Sequence, residues 1–355
     1  MSYPLNKRVL LGMSGGIDSS VAAALLLDSG YDVVGASIDI LPGGVCSIAG
    51  WEDALAVCES LGIPHVVIDR RLSFKEKVVA PFAEEYASGR TPSPCVLCNE
   101  RIKFCALADE ARRFRCDLIA TGHYARISSD AGVTRLFRAK DRRKDQSYFL
   151  YRVSSDILAM TIFPLGGMEK DEVRAFAKRR GLPVHEKPES QEACFVKDGN
   201  CASFVELHPG VSLSGPGNFV DPSGRILGRH RGVHAYTVGQ RRGLGFGTGS
   251  RQYVLHIDPT RNEIVLGNAT ELLSSSIALG SVVWTGHRRE LPLQAVVKIR
   301  STHEGSEALI KNTNEGRLKV EFRNPVRAPA PGQAAVLYSG DELLGGGTIE
   351  RSNLT

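Results

Sequence analysis

The sequence predicts an α/β protein: an N-terminal doubly wound parallel sheet, then a small β-rich domain, then a C-terminal β-barrel. Three changes of texture along its 355 residues support this. From residue 7 to about 205, apolar strand-like runs at 8–11, 33–38, 66–68 and 118–120 alternate with helical stretches, as in a parallel sheet covered on both faces. Between about 206 and 270, glycines at 210, 215, 217, 224, 228, 232, 239, 243, 245, 247 and 249 break the chain into short apolar pieces and exclude long helices. After about 275, Ala295/Val297/Ile299 and Leu318/Val320/Phe322 alternate with polar residues, as half-buried strands do. The expected domains are 1–205, 206–270 and 271–355.

The first strand runs into Gly12-Met13-Ser14-Gly15-Gly16-Ile17-Asp18-Ser19-Ser20, which leads into an Ala-rich helix that stops at Gly30. Paired glycines let backbone N–H groups turn toward an anion, with the positive end of the helix behind them. The lysine of a Walker loop is absent, and so is the dinucleotide glycine spacing. A ligand is expected at the carboxyl ends of the strands. Further on, Phe104, Leu107, Ala108, Ala111 and Phe114 fall at helical spacing, leaving Arg112, Arg113 and Arg115 toward solvent. Lys178-Arg179-Arg180 close a helix before Gly181, where the helix dipole favours cations.

Eight cysteines are too few for a disulfide scaffold in a chain of this size. Thr91-Pro92-Ser93-Pro94-Cys95-Val96-Leu97-Cys98-Asn99 reads as a proline-stiffened loop presenting two thiols just before a helix that starts near Asn99 or Glu100. A helix N-terminus stabilises a thiolate, the nucleophilic and metal-binding form. A four-cysteine zinc site with Cys105 and Cys116 is disfavoured, because Cys105 borders the buried helix stripe and Cys116 enters a strand. Pro188-Glu189-Ser190-Gln191-Glu192-Ala193-Cys194-Phe195-Val196 supplies a distant thiol, while Cys46, in the loop 41–50, has no assigned role.

Composition narrows the class. Hydrophobic content is 42%, and no run approaches the roughly 20 apolar residues of a membrane span. The N-terminus leads directly into the first strand, so the expectation is a cytoplasmic protein with no membrane partner. A net charge of +5 is compatible with a nucleic-acid partner. Basic clusters lie at Arg112-Arg113-Phe114-Arg115, Lys140-Asp141-Arg142-Arg143-Lys144, Arg229-His230-Arg231 and Arg241-Arg242.

Ser14-Gly15-Gly16-x-Asp18-Ser19 resembles the pyrophosphate loop of the ATP pyrophosphatase (PP-loop) superfamily, whose members cleave ATP between the α and β phosphates and transfer AMP to a substrate oxygen. Together with Gly89-Arg90-Thr91-Pro92-x-Pro94-x-x-x-Cys98-Asn99, Ala120-Thr121-Gly122-His123-Tyr124, Lys144-Asp145-Gln146-Ser147-Tyr148-Phe149-Leu150, the Cys194 segment and Gly239-Gln240-Arg241-x-Gly243-Leu244-Gly245, it follows the order seen in tRNA-specific 2-thiouridylases. Pro331-Gly332-Gln333 and Leu344-Gly345-Gly346-Gly347 extend the match.

The resemblance implies a sulfurtransferase that adenylates O2 of the wobble uridine of tRNA and replaces it with sulfur. It implies that Gly12, Met13, Ser14, Gly15, Gly16, Ile17, Asp18, Ser19, Ile38 and Gly122 hold ATP, with Asp18 placing Mg2+. Cys194 is then the persulfide carrier and Cys98 the nucleophile that attacks it. Ser93, Pro94, Cys95, His123, Lys144, Asp145, Gln146, Arg300, Ser301 and Gln333 are expected at the tRNA. The implied partners are glutamate, glutamine and lysine tRNAs and an upstream sulfur donor such as a cysteine desulfurase relay.

Many relatives carry aspartate where this chain has Cys95. Three thiols at Cys95, Cys98 and Cys194 allow a second expectation, a 4Fe-4S cluster whose fourth iron binds hydrosulfide. In the persulfide alternative Cys95 is an accessory thiol. Three other readings stay open: another PP-loop adenylating ligase or amidotransferase, a non-catalytic nucleotide- or tRNA-binding protein, and a disulfide oxidoreductase built on Cys95-x-x-Cys98. The paired thiols and basic loops weigh against the first. Intact Asp18, Cys98 and Cys194 weigh against the second, and the phosphate loop has no role in the third.

Overall fold

The structure is a computed structural model that describes residues 7–41, 44–45, 51–130, 132–183, 193–196, 199–245, 251–313 and 317–351. Cys46, most of the 41–50 loop, the 188–192 part of the Cys194 segment, and Gly247 and Gly249 lie outside the described residues.

Arg8–Gly12 is the central strand of the first sheet. It pairs in parallel with Asp32–Leu41 on one side and Leu118–Thr121 on the other. His65–Asp69 extends one edge in parallel, Thr161–Ile162 the other, and Gly44–Val45 adds a short antiparallel piece. The chain thus leaves the central strand toward both flanks, and the switch point lies beyond Gly12, where ligands of such sheets bind.

Val9, Leu10 and Leu11 are completely buried because both faces of this strand are covered. Val9 and Leu11 pack with Val21, Ala22 and Leu26 of helix Ile17–Asp28 and with Val173 and Ala177 of helix Lys170–Arg179. Leu10 faces the opposite layer, which holds Val96, Cys98, Ile102, Phe104 and Leu107. Phosphate-loop helix and thiol helix therefore cover opposite faces of one sheet.

The thiol helix starts earlier than expected. Pro94–Cys98 is already helical and continues through a π-helical turn, Asn99–Lys103, into Phe104–Arg113. Pro94 occupies the first helical position, where its fixed φ suits the helix and its missing N–H costs nothing. Cys95 and Cys98 thus sit in the first turn rather than in a preceding loop. Cys116 likewise lies just before strand Leu118–Thr121, not within it.

The glycine-rich stretch forms a four-stranded sheet of Gly217–Val220, Ile226–His230, Tyr253–Asp258 and Glu263–Gly267 around Phe219, Val254, Ile257 and Ile264. In the C-terminal sheet, Leu273–Trp284 pairs with both Leu318–Arg327 and Glu342–Ile349, closing an antiparallel barrel. Ala295, Val297, Ile299, Leu318, Val320 and Phe322 point into its core as their alternation requires. Lys319 and Glu321 face outward as an ion pair at 2.9 Å.

One pairing was not visible in the sequence. The hairpin Ala125–Asp130/Val133–Arg138, from the N-terminal half of the chain, joins the barrel sheet through Leu136↔Leu343 and Phe137↔Glu342. Asp341 reinforces the join by accepting from Arg126 at 2.6 Å and from Arg142.

Leu337 is wholly buried in the barrel core, whereas Leu273 is about half exposed at its rim. Leu337→Ala should cost about 2–5 kcal/mol by lost burial and cavity formation. Leu273→Ala should stay within about 0.5 kcal/mol. Thermal or denaturant unfolding of the two variants checks this.

Candidate active site

The central strand delivers Gly12 and Met13 to the switch point. Met13 is fixed by its N–H donating to the Ala36 carbonyl at 2.8 Å and by the Ser37 hydroxyl donating to its own carbonyl at 3.0 Å. Beyond it, the Ser14 N–H donates to Ser19 Oγ at 3.2 Å, and the two hydroxyls lie 3.2 Å apart. Gly16 caps helix Ile17–Asp28 without any side-chain acceptor for the first-turn N–H groups. Those donors are the ones an incoming phosphate satisfies. The Ser19 and Ser20 hydroxyls both donate to the Gly16 carbonyl, at 3.1 and 2.9 Å, which fixes the turn from within.

Gly122, at the end of the neighbouring strand, approaches the same turn closely. A Cβ there would fall 2.8 Å from the Ser19 nitrogen, so only glycine permits the packing. Ile38 lies along the other neighbouring strand, 9% exposed. The expected ATP-binding residues thus gather at one edge of the sheet.

Asp18 has a partner that sequence reading missed. The Lys170 ammonium donates to its two carboxylate oxygens at 2.7 and 2.8 Å, and the Tyr124 hydroxyl donates to Oδ1 at 2.7 Å. The Lys170 side chain is only 4% exposed, although the residue opens helix Lys170–Arg179. A cation in the first turn opposes the helix dipole, and that misfit was the available signal. The Lys170 N–H is held by Asp141 Oδ2 at 3.1 Å. Asp18 remains about one-third exposed. One hard carboxylate oxygen beside a phosphate cradle fits the way Mg2+ is held, through one or two carboxylates plus substrate phosphates.

Among the thiols, Cys98 is 6% exposed, whereas Cys95 and Cys194 are exposed. Phe195, next to Cys194, packs edge-on against Phe74 and Phe82 at 5.6 and 5.0 Å. It lies against the same core cluster that contains Cys98, which brings the two distant segments to one region. Burial pushes the Cys58 thiol up to about 12 and raises Cys105 and Cys116, which favours the protonated thiol at all three. Cys105 also donates to the Glu100 carbonyl at 3.1 Å.

Among the described residues, no three His, Cys, Asp or Glu side chains form a group that could hold a metal ion. The three thiols at Cys95, Cys98 and Cys194 are thus not gathered around a single ion position.

The residues expected at the tRNA divide into two sets. Arg300 and Ser301 follow barrel strand Leu293–Lys298, with Ser301 exposed and Arg300 donating to the Arg327 carbonyl at 3.1 Å. Lys144 lies half-buried in the loop after the hairpin. Pro94 is half-buried and Cys95 exposed in the first turn of the thiol helix, whereas Asp145, Gln146, Ser93, Gln333 and His123 are engaged within the protein. Asp145 accepts from the Ala139 and Ser147 N–H groups at 3.1 and 3.2 Å and from the Ser147 hydroxyl at 3.0 Å. Gln146 Oε1 accepts from the Tyr124 N–H at 2.9 Å. Ser93 Oγ accepts from the Ala334 N–H at 3.2 Å, and the Gln333 amide donates to the Thr91 and Pro92 carbonyls at 3.1 and 3.3 Å. His123 Nδ1 is 2.9 Å from Thr121 Oγ1, with its ring near Phe104 and Phe163. Burial first, then the Lys103 charge, lowers its pKa to about 3, so it meets any ligand as a neutral imidazole.

A phosphate cradle at the switch point of a parallel sheet, with a thiol in the first turn of an adjoining helix, defines a nucleotide-activating α/β enzyme of the PP-loop superfamily. Comparison with known proteins carries this further. Three family models match in succession: the tRNA methyl transferase HUP domain over residues 7–198, the tRNA methyl transferase PRC-barrel domain over 202–268 and the aminomethyltransferase beta-barrel domain over 274–349. The chain is 43% identical over 347 residues to the tRNA-specific 2-thiouridylase MnmA of Acidithiobacillus ferrooxidans, covering 97% of this chain and 99% of that protein. It is 45% identical to the MnmA of Carboxydothermus hydrogenoformans, covering 97% and 98%, and 43% identical to that of Clostridioides difficile, covering 98% and 99%. The chain belongs to the tRNA-specific 2-thiouridylase family.

The depressed His123 pKa has a measurable sign. The unfolded chain binds this proton first, so the resulting stability is complete above about pH 6.5 and is lost as pH falls toward 3. His123→Asn, which keeps a partner for Thr121 but cannot protonate, should flatten the fall in stability across that window. Denaturant unfolding at a series of pH values measures it.

Proposed function

We propose that the protein converts the wobble uridine of glutamate, glutamine and lysine tRNAs to 2-thiouridine, with ATP as activator. The observation that carries this reading is the placement of Cys98. Its helix runs back into the parallel strand Leu118–Thr121, so its first turn lies at the carboxyl edge where the phosphate loop also opens.

In the first step O2 of the uridine attacks the α-phosphorus of ATP, and pyrophosphate leaves. The first-turn N–H groups after Gly16 and the hydroxyl of Ser14 hold the phosphates, and Asp18 is the residue that would hold Mg2+. Lys170 supplies the ammonium that the loop itself lacks. When bound there, Mg2+ would supply charge neutralisation for the leaving pyrophosphate.

Converting a urea-like carbonyl oxygen into an AMP ester provides a leaving group. The Cys98 thiolate then attacks Sγ of the Cys194 persulfide, breaking its S–S bond, forming a Cys98–Cys194 disulfide and releasing the outer sulfur as hydrosulfide. Hydrosulfide adds at C2, AMP departs, and an external dithiol reduces the disulfide for the next turnover. The family models carry a methyl-transfer description, whereas a nucleotide cradle beside thiols is equipment for sulfur transfer. Among the described residues no helix is long and apolar enough to cross a membrane.

Incubating the protein anaerobically with unmodified glutamate tRNA, ATP, Mg2+ and sulfide should yield ATP-dependent 2-thiouridine, read by mass spectrometry of the digested tRNA. Cys98→Ala should retain pyrophosphate release when sulfur is supplied only as Cys194 persulfide, while 2-thiouridine disappears. Lys170→Met should lower pyrophosphate release by about 10²–10³-fold, the loss typical of removing one preorganised group that stabilises developing charge. Absence of both products from folded, tRNA-binding protein would overturn the assignment.

A further inference from the structure

The stretch that carries Cys98 into its helix has hydrogen bonds to its own neighbourhood only at its two ends, Arg90 and Ser93. Pro92 and Pro94 lack backbone donors, and 90–93 belongs to no strand or helix. The Arg90 N–H reaches back to the Glu85 carbonyl at 2.9 Å and the Ser93 carbonyl accepts from the Val96 N–H at 3.1 Å, while Thr91, Pro92 and the Ser93 hydroxyl turn to the barrel some 240 residues away. The Thr91 N–H donates to the Pro331 carbonyl at 2.8 Å. The Gln333 amide nitrogen bridges the Thr91 and Pro92 carbonyls, and the Ala334 N–H donates to Ser93 Oγ.

The barrel turn is itself anchored. The Gly332 N–H donates to the Ile349 carbonyl at 2.9 Å, and the Ile349 N–H returns to Gln333 at 2.8 Å. The Ala334 carbonyl accepts from the Tyr148 hydroxyl at 2.8 Å. Gly332 has a φ of 92°, and a Cβ there would lie 2.9 Å from the Thr91 nitrogen and 3.0 Å from its oxygen. Both its conformation and its contact with Thr91 therefore require glycine.

We propose that the barrel turn 331–334 is the positioning element of the nucleophilic thiol, and that Gln333 is a positioning residue that acts on Cys98 through Thr91 and Pro92. This rests on the reading of Cys98 as nucleophile, and it gives Gln333 a role distinct from the tRNA contact implied by resemblance. The same barrel carries Arg300 and Ser301, so a tRNA seated there bears on the scaffold that orients the thiol.

The test needs neither tRNA nor ATP in its first arm. Alkylation of Cys98 by iodoacetamide, resolved from Cys95 by peptide mass spectrometry, is compared in the wild type, Gln333→Met and Gly332→Ala. Methionine keeps the volume and the charge but removes the donor. Losing these bonds should speed Cys98 alkylation by about fivefold or more, the equivalent of one hydrogen bond. In the second arm, tRNA affinity and KM for ATP should stay within about twofold while kcat for thiolation falls.

Unchanged alkylation overturns the proposal. Weakened tRNA binding with unchanged alkylation assigns Gln333 to the RNA instead. Leu337→Ala, in the barrel core outside the turn, is the control. An equal rise in alkylation there would mean general loosening, and the proposal fails. Because the alkylation arm needs no turnover, its result is independent of whether 2-thiouridine is formed.

Discussion

A buried ammonium in the first turn of a helix is tolerated only beside a carboxylate, and the Lys170–Asp18 pair is the interaction on which the catalytic edge depends. The helix dipole repels Lys170 and burial disfavours its charge. Asp18 offsets both, with Tyr124 donating to one of the same oxygens. The pair joins the start of helix Ile17–Asp28 to the start of helix Lys170–Arg179, two elements that share one face of the sheet. Removing either partner would leave an uncompensated charge under the phosphate loop. The loop is thus presented to its ligand with its electrostatics already arranged.

The cysteines divide by environment rather than by sequence pattern. Cys58, Cys105 and Cys116 lie where desolvation keeps a thiol protonated. Cys95, Cys98 and Cys194 lie near the carboxyl edge of the sheet or beside residues packed against it, and two of them are exposed. Burial of Cys98 in the first turn of its helix separates its role from that of Cys95, which is one turn earlier in sequence and open to solvent.

Local patterns in the sequence predicted the parallel strands, the phosphate-loop helix, the glycine-broken middle sheet and the alternating barrel strands, because each is encoded by periodicity or turn chemistry within a few residues. The start of the thiol helix was misplaced because Pro92-Ser93-Pro94 reads equally well as a stiff loop. Lys170 was missed because Glu169-Lys170-Asp171-Glu172 resembles any charged first turn until the fold brings Asp18 to it. Asp145, Gln146 and Gln333 look like solvent-exposed polar residues in sequence. Their hydrogen bonds go to backbone groups whose proximity is set by tertiary structure alone, across 241 residues in the case of Gln333 and Pro92.

The hairpin at 125–138 has a consequence for how the chain comes to be folded at all. Its neighbour in the sheet is Glu342–Ile349, some 200 residues further along the chain. During translation the hairpin leaves the ribosome about 200 residues before that neighbour exists, with a strand edge waiting unpaired. The nucleotide-binding half therefore cannot be completed as an autonomous early product, and its final closure waits until residues 342–349 have been made. A nascent chain truncated before residue 342 would carry the phosphate loop, the thiol turn and an open, association-prone strand edge.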